Sequence, residues 1–184
     1  LHLEAEREGA REAARHYAAE AAQLAPALPW AGMAMLRYLS TEGDWQGALK
    51  ALEAMRAAGA LPKAEAQRKR AVLLTGEAMA EARAAPEKAA KLAREAHRLA
   101  DDLVPAAVVA ATALARIGDV KRATTILETT WKKSPHPEIA AAHVHLRAGD
   151  SVGDRLKRAR RLASLQPDHD EGRLAVAEAA IAAL

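Results

Sequence analysis

A short glycine-containing turn that recurs between helix-length stretches constrains this chain more than any other feature. It stands at Glu8-Gly9-Ala10, Glu42-Gly43-Asp44-Trp45 and Ile117-Gly118-Asp119-Val120. Gly9 and Gly43 are 34 residues apart, and Gly43 and Gly118 are 75 apart, which is two periods of 34 plus seven residues. Glycine suits the left-handed residue that ends a helix, and aspartate suits the N-cap of the next helix. The spacing therefore predicts a series of helical hairpins with a period of 34 residues.

The missing middle turn and the seven extra residues have definite places in this scheme. The turn is expected at residues 84–87, where Pro86 can open a helix. Seven residues are nearly two helical turns, and they fit at residues 63–69 without changing the buried face. We therefore expect the helix that begins near Pro62 to be the longest and to run unbroken past Glu77, with a buried stripe of Ala71, Leu74 and Ala78.

The spacing of apolar residues predicts helices and no strand, because no segment alternates with a period of two. Small residues recur where two helices of a hairpin cross closely, and Ala123 should be nearly fully buried against the preceding helix around Ala107 and Ala111. The predicted helices span residues 1–8, 10–25, 30–42, 44–58, 62–83, 86–100, 104–117, 119–133, 137–148, 151–165 and 169–183.

The 34-residue period, the Gly-Asp turns and the small residues at 14, 21, 48, 89, 96 and 123 resemble the tetratricopeptide repeat (TPR). The resemblance implies an all-α, right-handed superhelix of antiparallel helix hairpins in one domain. Both ends of the chain fall inside a hairpin, so we expect a piece of a longer protein that self-associates through residues 1–8 or 169–184. The expected hairpins are residues 1–28 (partial), 29–62, 63–103, 104–135, 136–167 and 168–184 (partial).

Composition excludes several classes of function. The absence of cysteine excludes disulfides, thiolate metal sites and a cysteine nucleophile. A net charge of +3, with three tryptophans and two tyrosines, does not favour nucleic acid as a partner. The spacing of the histidines matches no metal site, and His143 and His145 are expected to face the packing and the solvent respectively. No catalytic motif is present, so the sequence predicts a protein that is not an enzyme.

Several short segments also resemble the HemY-type proteins of proteobacteria: LAPALPWA at 24–31, EGDWQGAL at 42–49, VPAA at 104–107, SPHP at 134–137 and LQPDH at 165–169. The resemblance implies a TPR scaffold associated with haem or porphyrin biosynthesis and without assigned catalytic residues. It also implies attachment to the inner membrane through two N-terminal helices that this chain lacks. The repeat domain would lie on the cytoplasmic side, and the fragment itself would be soluble.

A TPR domain normally binds a partner protein in an inner groove lined by the first helix of each hairpin. The groove expected here is apolar with three arginines. The chain has no asparagine, so it lacks the Lys/Asn set that clamps a peptide carboxylate, and an apolar helix or extended segment is the expected ligand. The expected groove residues are Trp30, Met33, Arg37, Ser40, Thr41, Leu74, Ala78, Glu81, Val108, Thr112, Arg116, Ala140, Val144 and Arg147.

Two other functions stay open at this point. One is direct binding of haem or a porphyrin, with Arg37, Arg116 or Arg147 facing the propionates. The other is an enzyme of tetrapyrrole metabolism.

The basic residues of the helix at 151–165 have two interpretations, a solvated face balanced by carboxylates or contact with anionic headgroups.

Overall fold

The computed structural model describes residues 1–183, which form eleven α-helices and, within that range, no strand. The helix boundaries agree with the predicted ones to within two residues, with one exception described below. The helices are α1 (His2–Arg7), α2 (Arg11–Leu24), α3 (Pro29–Glu42), α4 (Trp45–Ala57), α5 (Lys63–Glu81), α6 (Pro86–Leu99), α7 (Val104–Arg116), α8 (Val120–Trp131), α9 (Pro137–Val144), α10 (Val152–Ser164) and α11 (Asp170–Ile181).

The Gly-Asp turns act as the sequence predicts. Gly43 follows α3 with a φ of 78°, and the carboxylate of Asp44 accepts a hydrogen bond from the backbone N–H of Gly47 at 2.8 Å. Gly118 has a φ of 84°, and the carboxylate of Asp119 accepts from the N–H of Arg122 at 3.1 Å. Each turn therefore ends one helix in the left-handed region and caps the next.

The longest helix is the one that receives the seven extra residues. Among the described helices, α5 is the longest at 19 residues, and it runs without a break past Glu77. Its predicted stripe of Ala71, Leu74 and Ala78 is buried. Pro86 occupies the first turn of the following helix, α6. These predictions are confirmed.

The prediction for α9 is wrong at its C-terminal end, because the helix stops at Val144 and not at residue 148. Ile139, Ala140, His143 and Val144 form its buried face. One more helical turn would carry Arg147 onto that face. The chain instead leaves the helix, which places Leu146 in the core and leaves Arg147 exposed.

The structure divides into two compact units, residues 1–77 and 78–183, which we call unit 1 and unit 2. In unit 1, one core cluster joins Ala5, Ala14, Ala18, Ala34 and Tyr38. A second cluster joins Leu36, Ala48, Leu52, Met55 and Leu73.

The main core cluster of unit 2 has more members than either cluster of unit 1, and it contains several of the largest fully buried side chains. Trp131, Leu114, Leu127 and Leu162 are fully buried in one cluster. Ala123 is fully buried in the same cluster as Ala107 and Ala111, as predicted. The single-domain organisation and the hairpin boundaries given above stay predictions.

Candidate functional site

An apolar groove lies between α3 and α5 of unit 1, and we call it the α3–α5 groove. It has a volume of about 640 Å³. Met33 and Leu36 of α3 and Val72 and Leu73 of α5 form its floor. Met33 is 37% exposed and Val72 is 52% exposed, so the floor presents large apolar side chains to solvent.

The packing of α5 explains why Val72 lies in this groove. Ala71 and Leu74 are buried on the core face of the helix. Since successive helical residues are rotated by about 100°, Val72 points well away from Leu74. The groove therefore follows from the same buried stripe that the sequence predicts.

The rim of the α3–α5 groove carries more positive than negative charge. Arg37, Arg68 and Lys69 line it together with one carboxylate, that of Glu65. Lys69 Nζ lies 3.3 Å from Glu65 Oε1. The rim therefore favours a ligand with acidic groups beside its apolar side chains.

A second apolar cavity, which we call the α1–α3 hollow, adjoins the groove and shares Met33 and Arg37 with it. Its volume is about 1030 Å³. Leu24 and Trp30 are among its lining residues, and Trp30 is 46% exposed. The indole of Trp30 packs on the ring of His2 with the ring centroids 5.2 Å apart.

A charged network at the boundary of the two cavities holds Arg37 in place. Its guanidinium donates a hydrogen bond to the carboxylate of Glu6, and the hydroxyl of Tyr38 donates to Glu6 Oε1 at 3.0 Å. The Tyr38 hydroxyl and then Arg37 lower the pKa of the Glu6 carboxyl below its ordinary value, although partial desolvation opposes them. The network keeps Glu6 ionised and holds the guanidinium of Arg37 at the cavity edge in an ion pair.

The predicted groove residues of unit 1 take different positions. Trp30 lines the α1–α3 hollow, Ser40 lines the α3–α5 groove, and Met33 and Arg37 line both. The side chain of Thr41 is exposed, and its hydroxyl donates to the carbonyl of Arg37 at 2.7 Å. Leu74 is buried in the helix packing.

The predicted groove residues of unit 2 are spread over several surfaces. Val108 is half-buried and Thr112 is exposed. Arg116 donates to the carbonyl of Ala82 at 2.8 Å, and Glu81 pairs with Lys88 at 2.8 Å. Ala78 is buried and Arg147 is exposed. Ala140 and Val144 are largely buried, and together with Leu174 they line a cavity of about 400 Å³. The assignment of all these residues to one groove stays a prediction.

Sequence reasoning missed Leu36, Lys69, Val72 and Leu73, which line the α3–α5 groove. A signal for Val72 was present in the predicted stripe of α5. At about 100° per residue, Val72 lies about 100° from Ala71 and about 160° from Leu74, so it is outside the stripe of Ala71, Leu74 and Ala78.

Two features are absent from residues 1–183. No group of three or more histidine, aspartate or glutamate side chains in this range could hold a metal ion. None of the described helices is long and apolar enough to cross a membrane.

No family model matches the sequence. A curated relative is the probable magnetosome protein Mms48 of Magnetospirillum gryphiswaldense, which is 31% identical over 140 residues. The match covers 76% of this chain and 31% of the relative. The chain therefore spans about a third of the length of the curated relative that it matches. The HemY-type resemblance finds no support in these comparisons and stays a prediction.

Two solved structures resemble the chain. YrrB, described as a TPR protein with an unusual peptide-binding site, is 16% identical and aligns with a TM-score of 0.51 over 95% of this chain and 87% of its own. TTC0263, a thermophilic TPR protein of Thermus thermophilus, is 17% identical and aligns with a TM-score of 0.46 over 98% and 96% of the two chains. At these identities the likeness to YrrB concerns the fold alone. The chain has an all-α, TPR-like fold, as the repeat pattern predicts.

Proposed function

We propose that this chain is a non-catalytic scaffold that binds a segment of a partner protein in the α3–α5 groove. The observation that carries the proposal is the exposed apolar floor of Met33 and Val72 between two helices. Large apolar side chains that stay exposed along a groove are typical of a binding surface. The TPR-like fold supports the same function.

The chemistry of the groove defines the class of partner. Its floor fits one apolar stripe of an amphipathic helix or of an extended segment. Its rim carries Arg68 and Lys69 against Glu65, besides Arg37, whose guanidinium is paired with Glu6, and it complements acidic residues beside that stripe. The proposed ligand is therefore an acidic amphipathic segment of a protein.

Selection from a displayed library of random peptides about 15 residues long, enough for four helical turns, tests this proposal. The whole chain serves as bait, and the affinity of the selected peptides is then measured for two variants. Val72→Lys places a charge in the groove. Ile117→Lys is the matched control, because Ile117 is a similarly exposed apolar residue that lies outside the groove, at the C-terminal end of α7.

We expect the selected peptides to carry apolar residues at helical or alternating spacing with acidic neighbours. Val72→Lys should weaken their binding at least tenfold, which corresponds to about 1.4 kcal/mol, and Ile117→Lys should leave it within about twofold. Peptides that bind both variants equally well would place the site elsewhere.

The second candidate function, direct binding of a tetrapyrrole, is favoured by the size and apolar lining of the α1–α3 hollow. About 1030 Å³ is at the upper end of the range for small-molecule sites. The residues of the hollow fit haem only in part, because the arginine and the histidine that line it already have partners in the protein. Arg37 is held by Glu6 and Tyr38, and His2 Nδ1 is bonded to the carbonyl of Ala14 at 2.8 Å. His2 Nε2 lies 3.8 Å from the Glu6 carboxylate.

A titration of the chain with haem tests the tetrapyrrole candidate. A shifted Soret band that Trp30→Ala abolishes, and that Val72→Ala in the α3–α5 groove preserves, would support binding in the hollow. An unshifted band would exclude it.

The role of the intact protein is a further proposal. The resemblance to HemY-type proteins links it to the inner membrane and to haem or porphyrin biosynthesis, whereas the name of the curated relative assigns that relative to the magnetosome. A photo-crosslinker at Val72 of the full-length protein in native membranes distinguishes the two. Capture of a haem-biosynthesis enzyme supports the HemY-type association, and capture of a magnetosome component supports the other.

A further inference from the structure

Unit 2 contains a basic hollow between two helices that the partner groove does not include. It lies between α6 and α8 and has a volume of about 560 Å³. Lys91, Arg94 and Arg98 of α6 and Arg122 of α8 contribute four cations to it. We call it the α6–α8 hollow.

The packing of α6 brings its three cations together. Ala89, Ala90, Ala93 and Ala96 form the buried face of this helix. Lys91, Arg94 and Arg98 are spaced three and four residues apart, so they lie in a row on the opposite, exposed face. On α8, the buried Ala123 fixes the orientation of the neighbouring Arg122.

The positive charge of this row is only weakly balanced by the protein. None of Lys91, Arg94 and Arg98 forms an ion pair or a hydrogen bond with another side chain in the part of the chain that the structure describes. Glu95 is the one carboxylate among the lining residues, and Asp119 pairs with Arg122 at 3.0 Å. Like charges three or four residues apart repel each other, so an anion bound between them would be stabilised.

The net positive charge of the whole chain comes from the same unit. Residues 78–184 contain 17 lysines and arginines against 14 aspartates and glutamates, whereas residues 1–77 contain ten of each. The net charge of +3 therefore belongs to unit 2.

The other lining residues define the class of anion. The hollow contains a threonine hydroxyl, that of Thr125, and one partly buried aliphatic side chain, that of Ile126. A protein interface normally has an apolar core, and single-stranded nucleic acid normally stacks on aromatic residues. Ile126 alone does not form an apolar core, and the one aromatic ring among the lining residues, that of His97, is held by Thr130 with Nε2 3.0 Å from Oγ1. A compact hydrated anion therefore fits better. Guanidinium groups bind phosphate oxygens through paired hydrogen bonds.

We propose that the α6–α8 hollow binds a phosphate-bearing anion through Lys91, Arg94, Arg98 and Arg122. The phosphate belongs either to a lipid headgroup or to a free phosphorylated molecule. The site is on a different pair of helices from the α3–α5 groove and does not depend on the function proposed for that groove.

Binding measurements with two probes test the site and distinguish the two sources. One probe is vesicles of equal parts phosphatidylcholine and phosphatidylglycerol, with pure phosphatidylcholine as the blank. The other is inositol hexakisphosphate in solution. The test variant combines Lys91→Gln, Arg94→Gln and Arg98→Gln. The control combines Arg83→Gln, Lys132→Gln and Arg147→Gln, which removes the same charge from other residues of the same unit.

We expect the test variant to lose binding about fivefold for each cation removed, and so about a hundredfold in all, at low salt. The control should lose binding severalfold at most. Because the three cations repel each other, the test variant should unfold at the same or a higher temperature than the parent chain. Binding to the vesicles alone identifies a headgroup, and binding to inositol hexakisphosphate identifies a free phosphate compound. Equal losses in the two variants, or no binding to either probe, would overturn the proposal.

Discussion

At the scale of single residues, His143 has the most unusual environment. Its side chain is fully buried, and Nε2 lies 3.4 Å from Glu128 Oε1. Arg161 holds the same carboxylate through Nε at 2.6 Å and Nη2 at 3.3 Å, which is the main cause of the lowered pKa of Glu128. Burial lowers the pKa of His143, and the Glu128 carboxylate only partly opposes this effect. The folded state therefore favours the neutral imidazole.

This environment predicts a histidine-dependent loss of stability in mild acid. Because the pKa of His143 is lower in the folded than in the unfolded chain, the unfolded chain binds more protons as the pH falls below about 6.5. The free energy of unfolding should then fall by up to about 1.4 kcal/mol per pH unit for this one group. Urea denaturation between pH 7.5 and 5.5 measures the slope.

The matched comparison is His143→Gln against His145→Gln, because His145 is two residues away and exposed. We expect the first variant to show a shallower slope than the parent chain and the second to keep it. Burial also lowers the pKa of His97, so part of the slope should persist in both variants. An unchanged slope in His143→Gln would show that this histidine is not the group responsible.

At the scale of single elements, α5 combines a long helix with one very close contact. The ring of Trp45 packs directly against Gly76, and a Cβ atom at Gly76 would stand 2.5 Å from two carbons of that ring. The aspartate cap of the Gly43-Asp44 turn sets the start of α4, where Trp45 is the first residue. The fit of α5 in unit 1 therefore depends on a glycine that helix propensity alone would disfavour.

We expect Gly76→Ala to destabilise the protein by about 1–3 kcal/mol, because overpacking against a rigid indole outweighs the gain of about 1 kcal/mol in helix propensity. Gly153→Ala in α10 is the control, since the nearest atom to its added Cβ would be Ser151 Oγ at 3.8 Å. That variant should be neutral or up to about 1 kcal/mol more stable. Thermal and urea denaturation measure both, and equal stability of the two variants would contradict the close packing.

At the scale of the whole molecule, large apolar side chains are exposed near both ends of the described chain. Leu174 and Ile181 of α11 are 54% and 71% exposed, and Leu1 and Leu3 are also exposed. Apolar surface of this kind favours association between molecules. The expectation that the chain self-associates through residues 1–8 or 169–184 therefore stays a prediction with a structural rationale.

Light scattering over a range of concentrations checks this prediction. The apparent mass of the parent chain should rise with concentration, and the double variant Leu174→Lys and Ile181→Lys should reduce the rise. Leu28→Lys, another exposed leucine far from both segments in the sequence, serves as the control and should leave association unchanged. A strict monomer at all concentrations would refute the prediction.

The sequence by itself determined the helices, their order and most of their ends. Gly43 and Asp44, Pro86 and the stripe of α5 act through contacts within a few residues, so their effect can be read from spacing alone. The same spacing predicted that His143 is buried and that His145 is exposed.

Only the tertiary structure decided where α9 ends, which residues form the floor of the α3–α5 groove and which cations meet in the α6–α8 hollow. Each of these features joins residues that are far apart in sequence: Leu146 with Leu114, Met33 with Val72, and Arg98 with Arg122. Helical periodicity states which face of one helix is buried, but not which part of another helix lies opposite it. That depends on the shape of side chains packed from both sides, which is a property of the folded chain.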